Sequence, residues 1–395
     1  MFSRNKGLAA VFLVVFIDML GFGIIIPVLP YYAMVFGADP TLVGLLIASY
    51  SAAQLVGAPF IGRFSDRYGR KPVIMFSIVL GFFGYILLGL ATSLWIVFLS
   101  RIIAGIAGSN LAVAQAYIAD TSDARDRARG MGLIGASFGL GLILGPAIGG
   151  TLSVYGVTTP FYAAAALELV NLFMVVAWLR EPPGMERRAP TSKPLLGISP
   201  LKELFRHPMV GRLLQIRLLY LLAFTMFEAM FILYAKHRFG LDAQLTSYLL
   251  VYIGLMVVFV QGVLIGRLAS RFGEWQLIVA GLAMITLALL GWALTNSLLI
   301  LLAVLAPMAM SAGILNTVIS SALSKVVGRD EVGEVMGVST SIGSLTRIIG
   351  PTIGGIVFQQ LGTGAPGIAG AILTAATLPL AIHAMGRNSR EKPRG

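Results

Sequence analysis

Residues 62–70 read GRFSDRYGR, and residues 266–274 read GRLASRFGE. A second string recurs in the same order, since GPAIGG begins at Gly145 and GPTIGG begins at Gly350. The two offsets, 266 − 62 and 350 − 145, are 204 and 205 residues. Two unrelated motifs that recur at nearly one offset indicate an internal duplication, so we expect two halves of similar fold.

The composition of the chain indicates which solvent surrounds it. Of its 395 residues, 57% are hydrophobic and 12% are charged, and the mean hydropathy is +0.88. Soluble domains carry roughly 25% charged residues, so a chain this apolar must expose much of its surface to lipid. The chain has no cysteine, which excludes disulfides and thiol catalysis. We attribute the net charge of +12 to cationic loops that orient a membrane protein rather than to nucleic-acid binding.

Apolar runs of membrane-spanning length recur along the whole sequence. Each is close to the ~20 residues that a helix needs to cross a bilayer while satisfying its own backbone hydrogen bonds. The runs lie near residues 8–30, 42–61, 73–92, 94–117, 129–153, 160–179, 208–236, 245–266, 276–295, 298–320, 333–360 and 366–386. The predicted fold class is therefore an all-α integral membrane protein with twelve transmembrane helices. The first run is too long for the apolar core of a cleaved signal, so we expect it to be retained.

The distribution of Lys and Arg predicts the orientation of these helices. If the N-terminus is cytoplasmic, the opposite side holds only Lys236 and Arg238. Both termini are therefore expected to be cytoplasmic, in the inner (plasma) membrane. Residues 181–207, rich in proline and charge, are predicted to link an N-terminal six-helix bundle (1–180) to a C-terminal six-helix bundle (208–395). With six spans each, the halves have parallel topology.

Four motifs resemble those of the major facilitator superfamily, and within it the twelve-helix drug/proton antiporters, with tetracycline/proton antiporters as the nearest type. They are GRFSDRYGRKP (62–72), RIIAG (101–105), GLILGPAIGG (141–150) and DMLGFGIIIPVLP (18–30). The resemblance covers essentially the whole chain and implies two pseudo-symmetric six-helix bundles. The sequence shows no nucleophile–base pair, metal-ligand cluster or phosphate-cradling loop. We therefore expect neither an enzyme nor an ATP-driven pump, and no cofactor or metal.

The first motif is a candidate cytoplasmic gate. The resemblance implies that Asp66 and Arg70 help to latch the two halves together on the cytoplasmic side. In the second copy, Ser270 and Glu274 stand at these two positions, which predicts an asymmetric latch. Asp120, at the inner end of span four, is a candidate partner for a loop arginine. The gate candidates are Gly62, Asp66, Arg67, Gly69, Arg70 and Asp120.

The helix-five motif is a candidate packing surface. Glycines at four-residue spacing lay a smooth stripe along a helix and let another backbone approach closely. A proline in the same helix removes a hydrogen-bond donor and can bend it. The motif residues are Gly141, Gly145, Pro146, Gly149 and Gly150. Beyond ordinary packing, we expect helices five and eleven to be where the halves rock.

Six charged residues fall inside predicted spans, namely Asp18, Arg101, Glu168, Arg217, Glu228 and Arg347. A central charge costs roughly 2.5–3.5 kcal/mol on insertion scales and needs a partner or a wet cavity. Asp18 and Arg101 lie at similar depth, so we predict that they face each other, with Asp18 carrying a proton and Arg101 tuning it. Glu228 is a candidate for a second proton or for substrate. For Glu168, a helix-pairing role is as well supported as a functional one.

The candidate substrate cavity combines polar and aromatic side chains within apolar spans. Its members are Tyr31, Tyr50, Gln54, Asn110, Gln115, Arg217, Phe224, Phe227, Gln261 and Asn316. The two phenylalanines are expected to stack on a planar or lipophilic ligand. For most of the polar members, a role in bridging helices stays open.

The leading hypothesis is a secondary active transporter that exports small amphiphilic or lipophilic compounds, multidrug or tetracycline-like, in exchange for protons by rocker-switch alternating access. Drug efflux of this kind implies antibiotic resistance. The charges on helix seven keep open a proton-coupled carrier of a sugar, lipid-like or other metabolite. A non-transporting receptor has less support, because no sizeable soluble module is present. The expected partners are the substrate, protons and the lipid bilayer, with no nucleic acid, and the chain is expected to be a monomer.

Overall fold

The computed structural model describes residues 2–122, 124–181, 208–328 and 331–391, and within them the regular elements are helices. The first eight are α1 (Phe2–Ile25), α2 (Leu29–Val35), α3 (Pro40–Tyr68), α4 (Arg70–Gly89), α5 (Leu94–Ala107), α6 (Asn110–Thr121), α7 (Ala124–Ser153) and α8 (Thr159–Trp178). The remainder are α9 (Pro208–Phe239), α10 (Ala243–Phe259), a π-helical turn (Val260–Leu264), α11 (Ile265–Arg271), α12 (Glu274–Leu294), α13 (Leu298–Val326), α14 (Val332–Leu361) and α15 (Ala365–Glu391). Apart from Glu181, the predicted linker 181–207 lies outside the described residues.

The predicted membrane spans are present as helices. In the part of the chain that the structure describes, eleven spans are long and apolar enough to cross a bilayer. A twelfth is formed if Ala9–Ile25 and Leu29–Val35, bent by 42° at the intervening break, count as one span. The break contains Pro27, and a proline can bend the helix in which it lies. The twelve-span, all-α fold class is thereby confirmed.

Span four is interrupted at Gly108 and Ser109, between α5 and α6. Gln54 of α3 holds this break, because its Nε2 donates to the Gly108 carbonyl at 2.9 Å. The Ser109 hydroxyl in turn donates to the Gln54 carbonyl at 3.2 Å. The interruption makes Asn110 the first residue of α6, where its side chain is 5% exposed.

The described chain divides into two compact units. Unit 1 comprises Met1–Asp39, Ser49–Leu195 and Leu241–Val251, and unit 2 comprises Pro40–Ala48, Leu196–Gly240 and Tyr252–Gly395. In unit 1, α1 packs most extensively on α7 and also on α8, and α4 packs on α8 and α5. In unit 2, α9 packs on α14 and α15, and α12 packs on α13 and α15. Division into halves at 181–207 stays a prediction.

The glycine stripe of α7 lies directly against α1. A Cβ atom placed on Gly141 would lie 2.6 Å from the Met19 Cβ, and one on Gly145 would lie 2.5 Å from the Gly23 Cα. Real Cβ atoms do not approach backbone this closely, so the two helices can pack this way only with glycine at the contact. The motif therefore fixes the position of α1 within its own unit.

The second copy of the motif makes the equivalent contact in unit 2. A Cβ atom on Gly354 of α14 would lie 3.2 Å from the Met226 carbonyl oxygen of α9, and one on Gly350 would meet the Thr225 side chain. Both copies thus pack a glycine-rich helix against the first long helix of their half. The expected rocking at helices five and eleven stays a prediction.

Adding one methyl group to the stripe tests this packing. We expect Gly145→Ala to destabilise the protein by about 1–3 kcal/mol, since overpacking at a backbone contact forces α1 and α7 apart. Thermal unfolding of the purified protein in detergent would measure this as a lower midpoint. The matched control is Gly135→Ala on the same helix, where a Cβ would meet nothing within 4 Å. Equal midpoints for the two variants would contradict the packing role.

Candidate functional site

Asp18 lies in the middle of α1, within unit 1, and its carboxyl group is surrounded by polar side chains. It is within hydrogen-bonding reach of the Asn110 side chain on α6 and of Glu168 on α8. Glu168 is 2% exposed, and Asp18 is half-buried. The carboxyl group of Asp18 therefore faces other protein side chains.

An independent contact fixes the register between α1 and α8. The Asn171 side chain, which is fully buried, donates from Nδ2 to the Val14 carbonyl at 3.2 Å. The spans that contain the two helices are predicted to run in opposite directions, so stepping one turn back along α8 corresponds to stepping one turn forward along α1. That step leads from Asn171 to Glu168 and from Val14 to Asp18. The backbone packing thus places the two carboxyl groups opposite each other.

Arg101 of α5 completes this buried cluster without pairing with Asp18. It is 2% exposed, and its guanidinium carbon lies 5.8 Å from the centre of the Tyr85 ring. Its Nε and Nη2 atoms are buried and receive no hydrogen-bond acceptor from the protein. In the described residues no ion pair joins it to Asp18, and the side chain beside Asp18 is that of Glu168.

Tyr85 and Tyr50 connect the members of the cluster. The Tyr85 hydroxyl lies 3.6 Å from the position that a Cβ on Gly21 would occupy, one turn after Asp18. Tyr85 interacts electrostatically with Asp18, Glu168 and Arg101. We call the set Asp18, Tyr50, Tyr85, Arg101, Asn110, Glu168 and Asn171 the acid cluster. Its carboxyl groups can bind and release a proton while amide and hydroxyl groups supply hydrogen bonds.

Most of the other predicted cavity residues of unit 1 bridge helices. The Tyr31 hydroxyl donates to the Leu241 carbonyl at 2.7 Å and lies 2.8 Å from the Thr246 hydroxyl. Gln54 holds the break in span four. Gln115 is exposed and lies outside the acid cluster. Of these side chains, the structure brings Tyr50 and Asn110 to the cluster.

The predicted polar residues of unit 2 interact with other polar side chains of that unit. Arg217 donates from Nη1 to the Ser320 hydroxyl at 3.1 Å and from Nη2 to the Asn316 Oδ1 at 3.4 Å. Glu228 is exposed in the middle of its span and interacts electrostatically with Arg347. A charged side chain exposed at that depth is typical of a water-filled cavity.

The aromatic candidates of unit 2 behave differently from each other. Phe227 is 3% exposed and packs edge-on against Trp292 at 5.1 Å, so it belongs to the apolar core. Phe224 remains half-buried. Gln261 is exposed within the π-helical turn, a distortion that often marks functional positions.

The predicted gate is an ion-pair network around Arg70, which is buried at the start of α4. Its guanidinium lies 2.7 Å from Asp66 Oδ1 and 2.9 Å from Asp120 Oδ2. Glu181 accepts hydrogen bonds from the backbone N–H groups of Arg70 and Lys71. The carboxylate thus caps the N-terminus of α4 and interacts favourably with the positive end of the helix dipole.

Gly69 is required at the turn between α3 and α4. Its φ of +103° lies in the region that side chains rarely adopt. A Cβ there would also lie 2.7 Å from Glu181 Oε1. The capping role of Glu181 could not be predicted from the sequence, because a single Glu after an apolar helix does not indicate which helix it caps.

The second copy of the loop carries the same ion pair with reversed polarity. Glu274 begins α12, and its Oε1 lies 2.7 Å from Lys325 Nζ on α13. Relative to Arg70 and Asp120, the offsets 274 − 70 and 325 − 120 are 204 and 205 residues. The duplication has therefore kept the pair and exchanged its charges.

The chain's relatives agree with this architecture. A family profile described as Major Facilitator Superfamily matches residues 11–351 and 275–395. The class C tetracycline resistance protein of Escherichia coli is 32% identical over 390 residues, covering 95% of this chain and 96% of that protein. Multidrug resistance protein 2 of Bacillus subtilis is 30% identical over 352 residues, covering 87% of each. The crystal structure of the human organic anion transporter MFSD10 (TETRAN) matches at 25% identity with a TM-score of 0.70, covering 96% of this chain and 99% of that one.

The twelve-span fold and these relatives define the class, a multi-pass membrane transporter. The chain belongs to the major facilitator superfamily, as the family profile matches nearly its whole length. The resemblance to tetracycline and multidrug resistance proteins noted in the sequence is confirmed.

Transplanting the reversed pair tests whether the Arg70 network is held by charge complementarity. We expect Arg70→Glu alone to lower the thermal midpoint clearly, because it buries a carboxylate beside Asp66 and Asp120, and breaking a buried pair costs about 3–5 kcal/mol. The triple change Asp66→Ser, Arg70→Glu and Asp120→Lys copies unit 2 and should recover more than half of the loss. Arg67→Glu, at an exposed neighbour, is the control. No recovery in the triple variant would contradict the interpretation.

Proposed function

We propose that this protein is a secondary active transporter that exports small amphiphilic or lipophilic compounds in exchange for protons. The names of its relatives support drug efflux, since several tetracycline resistance proteins and a multidrug resistance protein are about 30% identical to it. As in other transporters built from repeated halves, the two bundles, 1–180 and 208–395, would open the substrate site alternately to each side of the membrane. The localisation proposed is the inner membrane, with both termini cytoplasmic.

The observation that carries proton coupling is the placement of Asp18. A carboxyl group in a membrane span is costly unless it has a partner or a function, and Asn110 and Glu168 supply partners to Asp18. Asp18, which is half-buried, reaches the buried side chains of Asn110 and Glu168. A group so placed can gain a proton on one side of the membrane and lose it on the other as its surroundings change.

Each member of the candidate site then has a role. Asp18 carries the proton, and Arg101 tunes it by supplying the positive charge of the cluster. Glu228, exposed near Arg347, is a candidate for contact with substrate or for a second proton. The network around Arg70, Asp66 and Asp120 stabilises the gate loop. The exchange uses the proton gradient, and a monomer suffices for it.

Transport in inside-out vesicles tests the proposal. An imposed proton gradient should drive accumulation of at least one probe from a panel of tetracycline and ethidium. Asp18→Asn should abolish this accumulation, because an amide cannot carry the proton. The matched control, Glu334→Gln, removes an exposed carboxylate from the first turn of α14 and should transport normally.

Two results would contradict proton-coupled drug export. One is full gradient-driven accumulation by Asp18→Asn, with folding verified by its thermal midpoint. The other is that neither probe moves in vesicles that contain folded wild-type protein.

A second candidate function is a carrier of an organic anion, a metabolite rather than a drug. Arg217 favours it, because its guanidinium contacts the neutral Ser320 and Asn316 side chains. The name of the human organic anion transporter MFSD10 is consistent with it. Including fluorescein, an anionic dye, in the vesicle panel separates the two candidates. Transport of fluorescein without tetracycline or ethidium would favour the anion carrier.

A further inference from the structure

The contact between Asp18 and Glu168 requires a proton. An ionised carboxylate only accepts hydrogen bonds, so two carboxylates cannot hydrogen-bond to each other. If one of them carries a proton, its O–H donates to the other, and the pair forms a charge-assisted bond, which is shorter and stronger than a neutral one. The register contact between Asn171 and Val14 brings the two carboxyl groups side by side, within reach of one shared proton.

The charge balance of the acid cluster also indicates one proton on the pair. Among the ionisable groups on the elements around the pair, Tyr85 of α4 interacts with both carboxyl groups, and Tyr50 of α3 and Arg101 of α5 interact with Tyr85. The facing residues of α7 are glycines, and α6 contributes the neutral Asn110. With neutral tyrosines, Arg101 balances one negative charge. A pair that holds one proton carries one negative charge, and the cluster is then neutral.

The backbone leaves the pair little freedom to separate. The residue after Asp18, Met19, lies against Gly141, and Gly23 lies against Gly145, so α1 is held on α7. Loss of the shared proton would leave two adjacent carboxylates on helices that are fixed in place. The side chains themselves must then turn to new partners.

Hydrogen-bonding atoms without a partner in the protein are available to side chains that change their orientation. The Oε2 atom of Glu168 and the Nε and Nη2 atoms of Arg101 are buried, and the protein supplies no partner to them. Both residues interact with Tyr85, on α4. Acceptor and donors of opposite charge therefore lie around one tyrosine.

We propose that Glu168 is a second proton-binding residue of the carrier, which shares a single proton with Asp18 and turns toward Arg101 when that proton is released. The proton resides on an Oδ atom of Asp18 or on Oε1 of Glu168 and passes to water on release. No other bond changes. This inference rests on the proposed proton-coupled export and names the group that assists Asp18.

Infrared spectroscopy of the purified full-length protein in lipid tests the proposal without any substrate. The band of protonated carboxyl groups is followed as proton concentration is varied, for wild type, Glu168→Gln, Glu168→Asp and Asp18→Asn. In Glu168→Gln the new amide donates to the ionised Asp18, so half-protonation should need at least about tenfold more protons than in wild type, a change of one pH unit. Glu168→Asp restores a second carboxyl and should recover most of the proton affinity. Glu334→Gln is the control and should match wild type.

The outcomes separate this inference from the proposed function. A proton-binding curve for Glu168→Gln that coincides with that of wild type overturns the shared proton, whatever the transport assay gives. The same holds if Glu168→Asp binds protons no better than Glu168→Gln. If Glu168→Gln only lowered the rate of transport, with unchanged proton dependence, its role would be structural and the inference would be wrong. Failure of the proposed function shows elsewhere, as gradient-driven export that persists in Asp18→Asn.

Discussion

A carboxyl group in the middle of a membrane-spanning helix must find its hydrogen bonds inside the protein, and unit 1 is built around this constraint at Asp18. The break in span four places Asn110 at the start of α6, beside the carboxyl group. The register of α8 brings Glu168 to its other side. These contacts need α1, α6 and α8 to hold fixed positions, so the chemistry of one side chain depends on the packing of several helices.

The glycine stripe supplies that fixed position. Gly141 and Gly145 allow backbone contact between α7 and α1 immediately beyond Asp18, and the equivalent contact recurs between α14 and α9. The duplicated scaffold carries different chemistry in its two copies. Residues 222 and 223, which lie 204 and 205 positions after Asp18, are Leu222 and Ala223. The intramembrane acid at the position of Asp18 is therefore found in one copy only. The two copies also differ in charge at the start of the helix after the loop, where one has Arg70 and the other has Glu274.

Much of the fold follows from the sequence because lipid imposes strong rules on it. Apolar runs of this length form helices in lipid, and the repeated motifs predict two halves. The candidate site was predictable in part, since an acid within a span demands partners, and Asp18 and Arg101 are both in the cluster. No ion pair joins these two residues in the part of the chain that the structure describes, since equal depth along two helices does not set the direction of their side chains. The contacts of Glu168 and Glu181 could be recognised only once α8 was placed against its neighbours.

The aromatic residues of unit 2 also show that sequence spacing does not give the direction of a side chain. Sequence spacing put Phe224 and Phe227 together as ligand-stacking rings, but one of them packs in the core against Trp292. Two side chains three residues apart on a helix point in somewhat different directions, so one can be buried in the core while the other is partly exposed.

The most direct test of the central claim, that proton binding at Asp18 is coupled to substrate, is proton release when ligand binds. Tetracycline is added to purified protein in a weakly buffered solution, and the change in pH is recorded. Our account predicts about one proton released per bound ligand in the wild type and none in Asp18→Asn, since a single site carries the exchange. Equal proton release by the two proteins would contradict it.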